Sequence, residues 1–130
     1  MPNVVFFSFK EADRGVVLTI KGRAMNPRYP ALNFRVKDLL KRWITEDEAT
    51  IKQAITKAIQ GTSRTIVFVG ETTHRSYWVP HEVRMTLNKC KPVYAIRLKG
   101  TNGTIPKCLT NNYITVYQWS EVRLQDLATR

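Results

Sequence analysis

The chain has few cysteines and no long apolar run, and these absences exclude several classes of protein. Only two of its 130 residues are cysteines, Cys90 and Cys108, and they form neither a C-x-x-C motif nor a metal-binding spacing. No apolar stretch approaches the roughly 20 residues that a membrane-spanning helix needs. The N-terminus lacks the charged and apolar regions of a signal peptide. We therefore expect a cytoplasmic protein with two reduced thiols and no membrane partner.

The motifs of the common enzyme classes are also absent. The sequence contains no G-x-G-x-x-G, no Walker loop, no H-E-x-x-H and no G-x-S-x-G. Its two histidines, His74 and His81, are seven residues apart and have no cysteine or carboxylate at ligand spacing. We therefore expect neither a metal nor a bound cofactor.

Acidic residues are scarce relative to basic ones. The chain has 21 lysines and arginines against 10 aspartates and glutamates, a formal net charge of +11. The basic residues are spread along the chain without a run of five, and no RRM, KH or zinc-finger signature accompanies them. We interpret this charge as a solvated surface and expect no nucleic acid partner. An electropositive rim that attracts a pyrophosphate is the alternative.

The local patterns alternate between strands and helices, at a length typical of one domain, residues 1–130. Apolar runs bounded by turn residues predict strands at residues 4–9, 33–36, 65–69, 93–98 and 114–117. Capping residues and helical spacing predict helices at residues 13–21, 45–60, 77–89 and 120–127. This order predicts the α/β class: a single three-layer domain with a mainly parallel sheet, helices on both faces, and a flavodoxin-like arrangement.

Two of these predictions have competing interpretations. Residues 16–20 are β-branched, which favours a strand, but a crossover from the first strand needs a helix, closed here by Gly22. The helix after residue 45 is better defined, because residues 45–48 form a T-x-x-E capping box and Gly61 ends the apolar stripe. Residues 39–44 have helical spacing, and we interpret residues 105–112 as a loop.

The stretch from residue 65 to residue 84 has the pattern of a functional edge. A buried strand ends at Gly70, a polar loop follows, and Ser76 can cap the next helix. Trp78 and Glu82 are four residues apart, so they share one face of that helix. Ligands of open α/β sheets bind outside the carboxyl ends of the strands. From spacing alone, however, the better interpretation of Glu82 is a surface glutamate paired with a neighbouring arginine.

Three segments resemble one known family. Residues 6–13 resemble the first box of TIR domains, with Ser8 and Asp13 at the same separation. Residues 78–82 resemble the W-x-x-x-E segment that carries the catalytic glutamate of NAD-cleaving TIR domains. Residues 54–70 resemble more closely the TIR-like group of the bacterial Thoeris anti-phage proteins, the ThsB-like group.

The resemblance covers roughly residues 4–98 and lacks one feature of animal TIR domains. Ile51, Lys52, Thr72, Arg75 and Val79 also fit the pattern of the Thoeris group. The R-D-x-x-P-G segment of animal TIR domains is absent, which argues against an adaptor-type interface. The resemblance implies a TIR-like fold, which agrees with the three-layer architecture expected above.

The resemblance implies an enzyme that cleaves NAD as its substrate, with no further cofactor. It would release nicotinamide and make an ADP-ribose-derived signal, expected to be cyclic, that activates an effector protein in anti-phage defence. Glu82 would be the catalytic residue. Phe9 and Trp78 would offer flat walls, and Lys10 would counter the pyrophosphate. The full set of residues expected to bind NAD is Phe7, Ser8, Phe9, Lys10, Ser76 and Trp78.

Two other functions compete with this one. A TIR-like module without catalytic activity would work through self-association or partner binding, and Glu82 at the motif position argues against it. Self-association is also expected of the enzyme. A receiver-like or flavodoxin-like nucleotide-binding domain would need an acidic pocket, but only Glu11 and Asp13 follow the first strand.

Overall fold

The computed structural model describes residues 4–38 and 47–130, whose strands form one sheet with every pair parallel. The strands lie in the spatial order β2-β1-β3-β4-β5. Their bounds are Val4–Ser8 for β1, Arg35–Lys37 for β2, Arg64–Val69 for β3, Val93–Arg97 for β4 and Val116–Tyr117 for β5. The expected parallel sheet is therefore confirmed.

Helices connect successive strands and cover both faces of the sheet. Two short 3₁₀ turns, Glu11–Asp13 and Thr73–Arg75, follow β1 and β3. The helices are α1 Arg14–Ala24, α2 Glu48–Gln60, α3 Trp78–Asn88, α4 Lys107–Thr110 and α5 Glu121–Thr129. In the part of the chain that the structure describes, none of them is both long and apolar enough to cross a bilayer.

Side chains of successive strand residues point to opposite faces of the sheet, and this alternation builds two cores. Phe7 packs with residues of α1 and α5 on one face. On the other face Phe6 packs against Ile55 of α2, and Val67 packs against Val83 of α3. Fully burying each large apolar side chain contributes about 1.5–3 kcal/mol. The three-layer α/β class predicted from the sequence is confirmed.

The strand order places a switch point between β1 and β3. The chain leaves β1 toward β2 on one side and returns to β3 on the other side of β1. In open α/β sheets the connections on the two sides of such a point diverge and leave a crevice at the carboxyl ends of the strands. The segments that begin at Phe9 and Gly70 line this crevice.

The first helix is longer than its sequence predicted. Gly22 lies inside α1, which continues to Ala24, because a glycine within a helix costs only about 1 kcal/mol and nothing else ends the helix there. Asp13 occupies the N-cap position but makes no side-chain capping bond. The β-branched run at residues 16–20 is helical, as the crossover argument predicted.

Two other segments differ from their expected form. The N-cap of α2 is Asp47, whose side chain accepts a hydrogen bond from the Thr50 N–H, while Thr45 and residues 39–44 lie outside the described residues. The expected loop at residues 105–112 contains the short helix α4, which Leu109 anchors in the core.

Candidate functional site

A buried hydrogen bond joins the end of β1 to the second turn of α3. The Ser8 hydroxyl donates to Oε1 of Glu82 at 2.7 Å, across 74 residues of sequence. Both side chains are fully buried. Ser8 faces α3 because Phe7 and Phe9, its neighbours in the sequence, point to the other face of the sheet. The structure therefore brings together two of the residues that the sequence selected.

Polar contacts determine where α3 begins and how it lies on the sheet. The Ser76 side chain accepts a hydrogen bond from the Val79 N–H at 3.2 Å, the capping contact that the sequence predicted. Further along the helix, the Thr86 hydroxyl donates to the carbonyl of Glu82 at 2.8 Å and lies 2.6 Å from the hydroxyl of Thr65 in β3. These contacts hold the turn that carries the Glu82 carboxylate against β3.

Lys10 spans the crevice between the carboxyl ends of β1 and β3. Its ammonium group donates to the hydroxyl of Thr72 at 2.9 Å. The sequence separates these residues by 62 positions, and the switch point brings them together. A positive charge at this position can attract an anionic ligand to the edge of the sheet.

Phe7 and Phe9 lie away from this edge. Both rings are buried in the core between the sheet and the helices α1 and α5, where Phe7 makes an edge contact with Phe68 at 4.6 Å between centroids. Neither ring is available to a ligand beside Glu82 in this conformation. The alternation of β1 that turns Ser8 toward α3 turns both phenylalanines away from it.

Trp78 belongs to a group of three rings at the start of α3. Its half-buried ring makes an edge contact with Tyr77 at 4.9 Å and a tilted contact with His81 at 5.4 Å. Tyr77 donates a hydrogen bond to Glu48 of α2. Tyr77 and His81 were not among the residues predicted from the sequence. Their spacing was the available signal, because His81 follows Tyr77 by four residues and Trp78 by three, and such residues are neighbours on a helix.

The surroundings of His81 favour its neutral form. The Arg84 guanidinium lies 2.9 Å from its Nδ1 atom, and an arginine can only donate, so Nδ1 accepts. Partial burial lowers the pKa of His81, and the charges of Arg84 and Lys52 lower that pKa further. The remaining ring nitrogen, Nε2, therefore carries the hydrogen in the neutral ring.

Histidine, cysteine and carboxylate side chains are the remaining groups that could bind a metal ion or react. Over residues 4–38 and 47–130, no three histidine, cysteine, aspartate or glutamate side chains are arranged to hold a metal ion. Cys90 and Cys108 are free thiols, and burial raises the pKa of the Cys108 thiol. The groups available at the edge of the sheet are thus the carboxylate of Glu82, the carboxylate of Asp13 beside Gly70, hydroxyl groups, a lysine and three aromatic rings.

Comparison with known proteins supports a TIR-like fold. The sequence model of the family described as "Thoeris protein ThsB, TIR-like domain" matches residues 6–103, well over half of the chain. No curated protein matches. Among solved structures, the TIR domain of the Toll-related receptor TRR-2 from Hydra magnipapillata superposes with a TM-score of 0.60 at 17% identity, covering 95% of this chain and 90% of that one.

A second solved structure is more distant. The TIR domains of the activated Roq1 resistosome, which directly recognises the pathogen effector XopQ, give a TM-score of 0.46 at 12% identity. That match covers 96% of this chain and 69% of the other. At these identities, the Hydra domain shows a shared fold and nothing about activity.

Proposed function

The chain belongs to the family of TIR-like domains of the Thoeris protein ThsB, and from this premise we propose that it cleaves NAD. The products would be nicotinamide and an ADP-ribose-derived signal, expected to be cyclic, that activates a partner effector in anti-phage defence. The single observation that carries the proposal is the contact between Ser8 and the Glu82 carboxylate at the carboxyl edge of the sheet.

The reaction needs no more than one carboxylate. The bond between the ribose C1′ and the pyridinium nitrogen breaks, and its electron pair neutralises that nitrogen, so nicotinamide leaves without a proton from a general acid. Positive charge develops on the ribose ring, and a carboxylate beside it stabilises the transition state. Water then adds to C1′ and loses a proton to give ADP-ribose, or another group of the same molecule adds to C1′ to give a cyclic product.

Each proposed contact has a counterpart in the described geometry. Glu82 would stabilise the charged ribose, and Ser8 would orient its carboxylate. The face of Trp78 would pack against the nicotinamide ring, and Lys10 would bind the pyrophosphate at the crevice. Ser76 would act by capping α3. Phe7 and Phe9 would contribute only as support for β1.

The Glu82 carboxylate is fully buried, so NAD reaches it only after a rearrangement. We therefore expect low activity in the resting protein and a higher rate after self-association or another activating event. Such a requirement is typical of enzymes whose conformational steps gate access to the reacting groups.

Product analysis of the purified protein with NAD tests the proposal, with and without extract from phage-infected cells. Glu82→Gln should lower the cleavage rate by about 100-fold or more, because the developing charge loses its anionic partner. Glu11→Gln is the matched control, since this exposed glutamate lies outside the proposed site and should retain full activity. Full activity in Glu82→Gln, with the fold intact by circular dichroism, would contradict the assignment.

Ser8→Ala provides an independent check of the same contact. Losing one hydrogen bond to a buried carboxylate should cost about 1.5–3 kcal/mol of stability and lower kcat more than KM. Ser63→Ala is a suitable control because Ser63 is exposed and lies at the opposite end of the strands. A Ser8→Ala protein with unchanged kcat would show that Ser8 only supports the fold.

The alternative function is that of a TIR-like interaction module without catalysis, which the complete burial of Glu82 favours. In that case, Glu82 would be a structural carboxylate that joins α3 to β1. The absence of NAD cleavage under every activating condition, together with retained self-association, would select this alternative.

A further inference from the structure

A cleft on the opposite side of the sheet from Glu82 has the features of a second ligand site. It lies between α1, the segment after β4 and the start of α5, with a volume of about 450 Å³. Its floor is apolar, formed by the buried side chains of Ile20 and Leu98 and the half-buried ring of Trp119. This volume is within the range of small-molecule sites, about 300–1,000 Å³.

The two cations that line the cleft, Arg23 and Lys99, differ in whether they already have a partner. The Arg23 guanidinium is 3.9 Å from Glu121, and Tyr29 also donates to that carboxylate at 2.7 Å, so Glu121 already has two partners. Lys99 is exposed at the rim and has no ion pair or hydrogen bond within residues 4–38 and 47–130. Its charge is available to an anionic ligand.

Acceptor groups lie on the other side of the same cleft. The hydroxyls of Thr19 and Thr101 donate to backbone carbonyls, which leaves their lone pairs as acceptors. Asp13 adds a carboxylate with one buried oxygen that receives no hydrogen bond among the described residues. Although Asp13 stands at the N-cap of α1, its side chain does not cap the helix. Capping α1 thus does not explain its position.

We propose that this cleft binds a purine nucleotide, at a site separate from that of NAD cleavage. The ring would pack on Trp119 and Leu98, the phosphate would lie between Arg23 and Lys99, and amino or hydroxyl donors would face Asp13 and the threonines. A nucleotide combines a flat ring, an anion and several donors, and the two fused rings of a purine offer a larger flat surface to Trp119 than a single ring does. Because Ile20, Leu98 and Trp119 belong to the core of the α1 and α5 face, a ligand here does not contact Glu82.

Calorimetric titration of the full chain with AMP tests the proposal. We expect saturable binding of one AMP per chain with a Kd below about 1 mM. Lys99→Ala should weaken binding by about tenfold, since it removes a charge-assisted contact to the phosphate. Lys107→Ala is the matched control: it removes an exposed lysine from α4, on the opposite face of the sheet, and should leave the Kd unchanged.

Titrations with adenosine and with inorganic phosphate distinguish a nucleotide site from a site that recognises only the ring or only the anion. Adenosine and inorganic phosphate should each bind at least tenfold more weakly than AMP, because each lacks one of the two recognised parts. If inorganic phosphate binds as tightly as AMP, the ring makes no contribution to binding and the proposed nucleotide site is wrong. The absence of saturable AMP binding, or equal binding by Lys99→Ala, would overturn the site.

Glu82→Gln separates this inference from the proposed NAD cleavage. It should bind AMP with the same Kd as the unmodified chain, whether or not the protein cleaves NAD. If Glu82→Gln keeps its fold by circular dichroism but loses AMP binding, the ligand occupies the Glu82 site and the cleft proposal is wrong.

Discussion

At the scale of single residues, the position of the Asp13 carboxylate lowers the stability of the folded chain. Its carboxylate lies against Gly70, where an added Cβ would meet Oδ2 at 2.4 Å, so a larger residue at position 70 would have to displace the carboxylate. Burial raises the pKa of Asp13, while the charge of Lys10 lowers that pKa by a smaller amount. An incompletely hydrogen-bonded carboxylate in partial burial costs free energy when it ionises. Such residues are typical of functional sites rather than of structural ones.

Asp13→Asn should therefore be more stable than the unmodified chain at pH 7. A carboxyl group whose folded pKa lies above its unfolded value favours folding most below the unfolded pKa, near 3.9. That contribution is lost as the pH rises through the folded pKa. The advantage of Asp13→Asn should thus be present at pH 7 and fade as the pH falls toward 4, as measured by urea unfolding at both pH values.

The exposed Glu11 provides the control for this prediction. Glu11→Gln makes the same change of charge in the same segment and should alter the free energy of unfolding by less than about 0.5 kcal/mol at either pH. An Asp13→Asn protein that is less stable at pH 7 would mean that the carboxylate has a stabilising partner.

At the scale of the elements, side chains stabilise both ends of α5. The Ser120 hydroxyl accepts a hydrogen bond from the Arg123 N–H at the first turn, at 3.3 Å. At the last turn, the Arg64 guanidinium donates to the carbonyls of Leu127 and Arg130, at 3.2 and 2.6 Å. A cation at this end satisfies carbonyls that have no partner within the helix and complements the helix dipole. The terminal helix is thus tied to the start of β3.

Ser120→Ala should lower the free energy of unfolding by about 1 kcal/mol, because the first turn of α5 loses its capping acceptor. Ser120→Asp should restore most of that loss, since aspartate is an equally good N-cap residue and its charge suits the helix N-terminus. Chemical denaturation of the three proteins measures the difference. Equal loss in both variants would mean that Ser120 acts through packing and not through the cap.

At the scale of the whole molecule, the net charge of +11 opposes association between copies. The ion pairs described, such as that of Glu48 with Lys52, each join one positive and one negative group, so they leave this net charge unchanged. Repulsion between chains acts over about 10 Å at 0.1 M salt and over about 30 Å at 0.01 M. Self-association, which the family leads us to expect, should therefore depend on ionic strength.

The proportion of dimers and larger assemblies should rise when sodium chloride is increased from 0.05 to 0.5 M, because screening removes the repulsion between positively charged chains. Light scattering after size exclusion, at several protein concentrations, measures this change. The NAD cleavage rate per chain should increase in parallel if association exposes Glu82. Weaker association at high salt would show that ion pairs hold the copies together.

Local sequence patterns were enough to predict most of the architecture. Among residues 4–38 and 47–130, the five strands, four of the five helices and the crossovers follow from apolar spacing, capping residues and glycines, which act over a few residues. The sequence did not predict α4, because this helix has only four residues after Pro106 and a single buried residue, Leu109, which is too few to show a helical repeat. The resemblance to TIR domains predicted roles for Glu82 and Ser8 from the sequence alone.

The contacts between distant segments were decided only by the tertiary structure. Ser8 meets Glu82, and Lys10 meets Thr72, because β1 and β3 are neighbours in the sheet although an entire βα unit separates them in the chain. The same strand geometry buries Phe9, which was expected to contact the ligand, in the core on the opposite face of the sheet. Sequence spacing determines which face of an element is apolar, whereas strand order and register determine which residues that face meets.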